Sequence, residues 1–170
     1  ALPVSVDPTK SIAFVDVAGT ITTTSANAMM MLTSSITDNG DTLRLERGAT
    51  QDQSRVITMI WQVVEFTDDV LVRTDEAVMS SGATAASTNL TISPALTNLS
   101  KSALFYNART MNTTGGYEAR NRVYGRIHNE TIVNFTRGSG TGGPVNIRWY
   151  VTEFQDESSL VQNGSVALAI

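Results

Sequence analysis

The chain reads Trp61-Gln62-Val63-Val64-Glu65-Phe66 and, 88 residues later, Trp149-Tyr150-Val151-Thr152-Glu153-Phe154. Successive side chains of a strand point to opposite faces, so both faces of each segment carry apolar residues. A strand that is apolar on both faces is typical of the interior of a sheet. Both segments are therefore predicted to be central strands, with the tryptophan of each in a core.

Further matches lie upstream of these two segments and keep their order. Lys10-Ser11-Ile12-Ala13-Phe14 returns as Lys101-Ser102-Ala103-Leu104-Phe105, and Arg47-Gly48 returns as Arg137-Gly138. Ordered matches at a nearly constant offset indicate a duplicated folding unit. We predict two domains, a first half at 1–91 and a second half at 92–170.

The rest of the chain alternates apolar and polar residues, is rich in Ser, Thr and Val, and is punctuated by Gly and Asn turns. This pattern predicts an all-β fold of two tandem, duplicated antiparallel β-sandwiches, either jelly-roll or immunoglobulin-like. Strands are expected near 10–18, 28–36, 42–47, 55–66, 69–79, 86–92, 101–110, 119–128, 131–137, 145–154 and 159–169. Residues 28–32 could instead be helical, because Ala, Met and Leu favour helix.

Composition excludes several classes of function. The chain has no cysteine, so it lacks disulfides, thiolate metal sites and cysteine nucleophiles. No stretch reaches the roughly 20 apolar residues of a transmembrane helix, and we expect no membrane insertion. A net charge of −4 disfavours nucleic acid as a partner.

Catalytic patterns are sparse, and we predict that the protein is not an enzyme. His128 is the only histidine, and its surroundings indicate a strand that runs into a turn. The glycine-rich segment 138–143 leads through Pro144 into a strand rather than a helix, which argues against phosphate binding. Asp38-Asn39-Gly40-Asp41 is typical of a hairpin turn. No catalytic, cofactor-binding or metal-binding residue is therefore assigned.

Glu65 and Glu153 each share a strand face with Trp and Val, where an unpaired charge is costly. We expect a structural ion pair in each half, with Arg47 and Arg137 as the candidate partners.

Charge differs between the halves. The first half has 5 basic and 11 acidic residues, a net of −6, whereas the second has 7 and 5, a net of +2. Basic residues alternate along one predicted strand at Arg120, Arg122 and Arg126, where the first half has Met29 and Met31. We predict that these five residues lie at a head-to-tail interface between subunits, although a solvated face would show the same pattern.

The second half is shorter than the first and is expected to lack a strand. We predict that the N-terminal segment of a neighbouring subunit, with Ala1, Leu2, Pro3 and Val4, covers the open edge.

Asn-X-Ser/Thr sequences occur only after residue 88 and form six candidate glycosylation sites, at Asn89, Asn98, Asn112, Asn129, Asn134 and Asn163.

Taken together, the Lys-Ser strand start, the Arg-Gly turn, the Trp-x-Val-x-Glu-Phe strand and the closing Val161-Gln162-Asn163-Gly164 resemble duplicated β-sandwich repeats of phage-encoded structural and bacterial surface proteins. In the first half the closing segment departs from this pattern as Val72-Arg73-Thr74-Asp75. The resemblance implies a structural or adhesive module, located in a virion or at the cell surface.

We expect a structural subunit that self-assembles into a virion component, such as a decoration, tail or fibre protein, or into an extracellular filament. Its expected partners are copies of itself and a capsid, tail or cell-surface component. The alternative is a carbohydrate-binding or adhesive module in which Trp61, Trp149, Tyr117 and Tyr124 stack on sugars.

Overall fold

The computed structural model of the 170-residue chain describes nine stretches of the sequence. These are residues 1–18, 32–37, 39–48, 58–66, 69–80, 87–110, 123–137, 143–157 and 159–162.

Ten β-strands account for most of the described residues, and the predicted all-β character is confirmed. They are β1 Ser11–Ala18, β2 Leu32–Ile36, β3 Leu43–Arg47, β4 Thr58–Glu65, β5 Val70–Met79, β6 Ser87–Thr91, β7 Ser102–Thr110, β8 Val123–Asn129, β9 Ile132–Arg137 and β10 Val145–Phe154. A three-residue 3-10 turn, Leu99–Lys101, is the only helical element in the described stretches. None of the described residues belongs to a helix that is long and apolar enough to cross a membrane.

The strands form four small antiparallel sheets. Sheet I has the order β1-β4, sheet II β2-β3, sheet III β5-β10-β7 and sheet IV β6-β9-β8. Corresponding strands of the two halves pair in the same register: Ser11 lies opposite Glu65 in sheet I, and Ser102 lies opposite Glu153 in sheet III. The sequence match is thus accompanied by a match in strand pairing.

Two strands of the first half extend the sheets of the second half. β5 pairs with β10 from Val70 opposite Phe154 to Met79 opposite Val145, and β6 pairs with β9. Strand pairing therefore crosses the predicted boundary at residues 91 and 92. The division into two duplicated sandwiches stays a prediction.

Sheet III lies between two apolar cores because side chains alternate along β10. Trp149 and Val151 on one face pack in core one, which reaches sheet IV through Val133 and Phe135. Tyr150 on the other face packs in core two. Core two consists of the buried Ile12, Ala13, Ile36, Val70, Val72 and Tyr150, with partly buried phenylalanines around them.

Corresponding phenylalanines of the two halves meet in core two. Phe14 packs edge-to-face on Phe105 at 5.6 Å between ring centroids, and Phe66 packs likewise on Phe154 at 6.3 Å. Such edge-to-face pairs add about 0.5–1.5 kcal/mol each beyond the apolar area that they bury. Sheet I is thereby held against sheet III.

Candidate functional site

The two Trp-x-Val-x-Glu strands differ sharply in exposure. β10 is buried along most of its length, and Trp149 is 2% exposed. In β4 the side chains of Ile60, Trp61 and Val64 are 54%, 41% and 38% exposed. The prediction of a core tryptophan is correct for Trp149 and wrong for Trp61.

Strand neighbours explain this difference. β10 has β5 on one edge and β7 on the other, as predicted for a central strand. In the described part of the chain β4 pairs with β1 alone, and no described strand lies along its second edge. The sequence of β4 is that of a central strand, yet its position in the described fold is that of an edge strand.

Within the described residues, the β4 strand also lacks the usual features that prevent an edge strand from pairing with another chain. In natural proteins, edge strands are prevented from pairing with other chains by charged side chains, prolines or bulges, or because they are short. β4 runs for eight residues, and its only charged residue is Glu65, at its end. The edge strand β5, by contrast, carries Arg73, Asp75 and Glu76. We define residues Thr58–Glu65 as the β4 edge and regard it as the candidate assembly site.

A turn of the same construction precedes the first strand of each half. The Asp7 carboxylate accepts hydrogen bonds from the Thr9 backbone N–H and hydroxyl, which lower the pKa of Asp7. The Asn98 side chain accepts the same two bonds from Ser100. Each turn also donates a backbone N–H to the glutamate of the Trp strand, from Asp7 to Glu65 and from Asn98 to Glu153.

Glu153 forms a buried ion pair with Arg73, at 2.8 Å and with side-chain exposures of 0% and 5%. Its other carboxylate oxygen accepts hydrogen bonds from the Thr97 backbone and hydroxyl and from the Asn98 backbone. Burial by itself raises the pKa of Glu153, but these hydrogen bonds and the Arg73 charge outweigh it, so the pKa lies below its ordinary value. The carboxylate is therefore ionised at neutral pH and links the two halves.

The predicted pair between Glu153 and Arg137 is wrong. Arg137 is buried, and its guanidinium donates to the backbone carbonyls of Gly143, Met79 and Ser80. Burial lowers the pKa of Arg137. The partner of Glu153 comes from β5, a strand of the first half that the sequence comparison did not place beside β10.

The N-terminal residues lie along the turn between β2 and β3 of their own chain. The Leu2 N–H donates to the Asp41 carbonyl, and the Val6 N–H donates to the Gly40 carbonyl. Ala1, Pro3 and Val4 are exposed. Their predicted role at a subunit interface stays a prediction.

The basic strand face is solvent-exposed where the structure describes it. Tyr124, Arg126 and His128 of β8 are exposed, and the intervening residues are buried or partly buried. Arg120 and Arg122 lie outside the described residues, as do Met29 and Met31. This part of the predicted interface is accessible at Arg126, and its role stays a prediction.

Four of the six candidate glycosylation sites fall on described residues. Asn89 and Asn134 lie opposite each other in sheet IV, and their side chains are hydrogen-bonded at 2.7 Å. Asn129 accepts hydrogen bonds from the Thr131 backbone and hydroxyl, and Asn98 belongs to the turn described above. Asn112 and Asn163 lie outside the described residues.

Within the described stretches, no group of three or more His, Asp or Glu side chains is placed to hold a metal ion. The Asn39-Gly40 hairpin turn is present, and Gly40 adopts the positive φ of 73° that such turns require.

Comparison with known proteins gives no relative: no protein-family model, curated protein or solved structure matches this chain.

The β4 edge was not among the interface residues predicted from the sequence. The sequence nevertheless contains an indication of this site, because the strand combines apolar residues on both faces with an almost complete lack of charge. The sequence does not reveal which of two matching strands receives a second neighbour.

Proposed function

We propose that the protein is a non-enzymatic structural subunit that self-assembles, as part of a virion or of an extracellular filament. The β4 edge is the observation that carries this proposal. A long, uncharged edge with exposed Ile60, Trp61 and Val64 is a template for pairing with another chain.

The partner is a second copy of this chain. β4 and β10 share their sequence pattern, and β10 shows what such a strand looks like with a neighbour on each side. An assembly in which one copy supplies a second neighbour to β4 would pair the backbone groups along that edge and bury the exposed apolar side chains. Repeating the contact from copy to copy gives a polymer or a ring.

The opposite net charges of the two halves support a head-to-tail contact between copies. The first half, which holds β4, has a net charge of −6, and the second half has a net charge of +2. Opposite charges steer the second half of one copy toward the first half of the next. The virion or surface location rests on the resemblance to phage-encoded and bacterial surface repeats.

The test is the size of the protein across concentration, measured by sedimentation velocity. We expect reversible assembly, and we expect Ile60→Lys to raise the concentration for half-assembly at least about tenfold, because a charge replaces apolar contact area. Val78→Lys is the matched control, since Val78 is also 54% exposed on a strand. A wild-type protein that stays monomeric up to millimolar concentration refutes self-assembly.

The carbohydrate-binding alternative is favoured by one observation, the exposure of Trp61 and Tyr124 at 41% and 64%. Exposed aromatic rings are the surfaces on which sugars stack. The two residues lie in different sheets, and Trp149 is buried in core one. A monomeric protein that binds immobilised glycans, and loses this binding in Trp61→Ala, would support the alternative.

A further inference from the structure

Sheet IV presents the most exposed aromatic side chain among the described residues, Tyr124 at 64%. Side chains alternate along β8, so that Val123 and Ile127 pack on core one whereas Tyr124, Arg126 and His128 point outward and are exposed. We define the outer face of sheet IV as the outward-pointing side chains of β8, β9 and β6. An aromatic ring, a guanidinium and an imidazole therefore lie in one exposed row of this face.

The strand that carries this row is held tightly against core one. A Cβ at Gly125, in the middle of β8, would lie 2.5 Å from the Phe135 ring and 2.9 Å from the Tyr106 ring. These two rings pack edge-to-face at 5.2 Å between centroids, and the Tyr106 hydroxyl donates to the Val123 carbonyl at 3.0 Å. Because a packed strand positions side chains more precisely than a loop, successive side chains of the row keep a defined spacing of about 7 Å.

Arg126 is available to a ligand, in contrast to the other basic residues of the second half that the structure describes. Its side chain forms no ion pair with a described residue. The remaining described basic residues of this half all contact groups of their own chain, and they are Lys101, Arg109, Arg137 and Arg148.

The outer face carries no described carboxylate to balance this charge. β9 and β6 add only Asn, Ser, Thr and Ile side chains to the face. The acidic residue nearest to the row along the chain is Glu130, in the turn after β8. Among its described residues the outer face is thus positively charged, which favours an anionic ligand.

A row of amides continues the face from Arg126 across the sheet. Arg126 lies opposite Asn134, and Asn134 lies opposite Asn89. The Asn134 amide donates to Asn89 Oδ1 at 2.7 Å, and Asn134 Oδ1 accepts a hydrogen bond from the Thr136 hydroxyl at 3.1 Å. Asn134 is therefore fixed by its neighbours, and it orients Asn89 so that the two N–H groups of the Asn89 amide, which have no partner among the described residues, can donate to a ligand.

We propose that the outer face of sheet IV binds an anionic glycan, that is, a chain of sugars that carries carboxylate or sulfate groups. The exposed Tyr124 ring provides a surface on which a sugar ring stacks. The Arg126 guanidinium, two residues along the strand, forms paired hydrogen bonds with the acidic group, and the Asn89 amide donates to a sugar hydroxyl. This proposal does not depend on self-assembly, because the β4 edge belongs to sheet I.

Charge complementarity decides the class of ligand. A neutral glycan would leave Arg126 without a counter-charge. The acidic first half of a second copy would supply one, but an exposed aromatic ring beside a row of amides and hydroxyls is the combination that recognises a sugar.

Isothermal titration calorimetry at an ionic strength of about 0.15 M tests the ligand class. The probes are oligogalacturonate, which carries carboxylates, dextran sulfate, which carries sulfates, and dextran, which carries neither. The protein is expressed in bacteria that do not glycosylate it, so that Asn89 and Asn134 are unmodified. We expect binding of one or both anionic probes, which identifies the acidic group, and no binding of dextran. No binding of either anionic probe, or equal binding of dextran, would overturn the proposal.

Substitutions locate the site. Arg126→Gln should weaken binding at least about tenfold and Tyr124→Ala at least about fivefold. Arg126→Lys keeps the charge but loses the paired hydrogen bonds, and it should weaken binding at least about threefold. Arg44→Gln is the matched control, because it changes the net charge equally and the Arg44 side chain is 64% exposed in sheet II. Equal weakening by Arg44→Gln and Arg126→Gln would show diffuse attraction instead of a site. Urea unfolding midpoints should be the same in these variants of exposed residues.

Two other results would assign the binding or the face differently. If Trp61→Ala abolishes glycan binding and Tyr124→Ala does not, the site lies at the β4 edge. If no glycan binds but Arg126→Gln raises the concentration for half-assembly, the outer face of sheet IV is a contact between subunits. Either result overturns the glycan site on sheet IV and leaves self-assembly standing, whereas a wild type that binds an anionic glycan as a monomer refutes self-assembly alone.

Discussion

Replacing Glu153 by glutamine removes the negative charge that neutralises Arg73 while keeping the size of the side chain. The Arg73 side chain is 5% exposed and its guanidinium lies 2.8 Å from the carboxylate. Its remaining described partners are the backbone carbonyls of Pro94 and Ala95, at 2.6 and 3.1 Å. These carbonyls carry only partial charges, so the substitution leaves a buried cation without its counter-ion.

The expected loss follows from what remains in place. Breaking a buried ion pair by removing one partner costs about 3–5 kcal/mol of unfolding free energy. Glutamine retains one oxygen that can accept the hydrogen bonds now donated by Thr97 and Asn98, so we expect the lower end of this range, about 3 kcal/mol.

Glu65→Gln is the matched control, because Glu65 occupies the corresponding position of the other half. Glu65 is exposed and accepts a hydrogen bond from the Asp7 backbone. Its substitution should cost about 1 kcal/mol or less, since water replaces the lost interaction. Nearly identical sequence motifs are thus predicted to differ at least about threefold in their contribution to stability.

The assay is equilibrium unfolding in urea, at a protein concentration where sedimentation shows only monomer. The slope of free energy against urea should be unchanged in both variants, so that the midpoints report stability. A loss below about 1 kcal/mol for Glu153→Gln, or equal losses for the two variants, would contradict the assignment of Glu153 as a buried counter-ion.

Two further predictions follow from the turns and from pH. Gly40→Ala should destabilise the protein by at least about 1–2 kcal/mol in urea unfolding. The backbone φ is 73° at Gly40, and a Cβ there would overlap the Val6 carbonyl oxygen. A loss of less than about half of the lower value would contradict the described turn. The free energy of unfolding should fall as pH drops from the ordinary Glu pKa of 4.5 through the lower pKa of folded Glu153, because the unfolded chain takes up the proton first. In Glu153→Gln this dependence of unfolding free energy on pH should be weaker, and an unchanged dependence would contradict the prediction.

Most of the strands could be predicted from the sequence, because strand formation depends on the local pattern of side chains. Ten of the eleven predicted strands are present; of the predicted strand at 159–169 only residues 159–162 are described, and they are not in a strand. Alternation of apolar and polar residues defines strands because it depends only on neighbours along the chain. The prediction of a buried glutamate paired with arginine was correct for Glu153, since an apolar strand face forces such a charge to find a partner.

The candidate site could not be predicted from the sequence to the same extent, because it depends on contacts between segments that are distant in the chain. The recurrence of Arg-Gly in both halves predicts Arg137 as the partner of Glu153, whereas Arg73 lies there because β5 of the first half pairs with β10. The exposure of Trp61 arises in the same way: its strand resembles β10 but has one described neighbour instead of two.

The sequence by itself determined the strands, their two-fold repetition along the chain and the apolar character of both Trp strands, because each depends on the order of side chains. Only the tertiary structure decided that Trp149 is buried and Trp61 exposed, and that Arg73 neutralises Glu153. The physical reason is that burial and ion pairing depend on which strand lies beside which. The pairing of β5 with β10 joins residues 66 to 84 positions apart in the chain, and the side-chain pattern of neither strand specifies it.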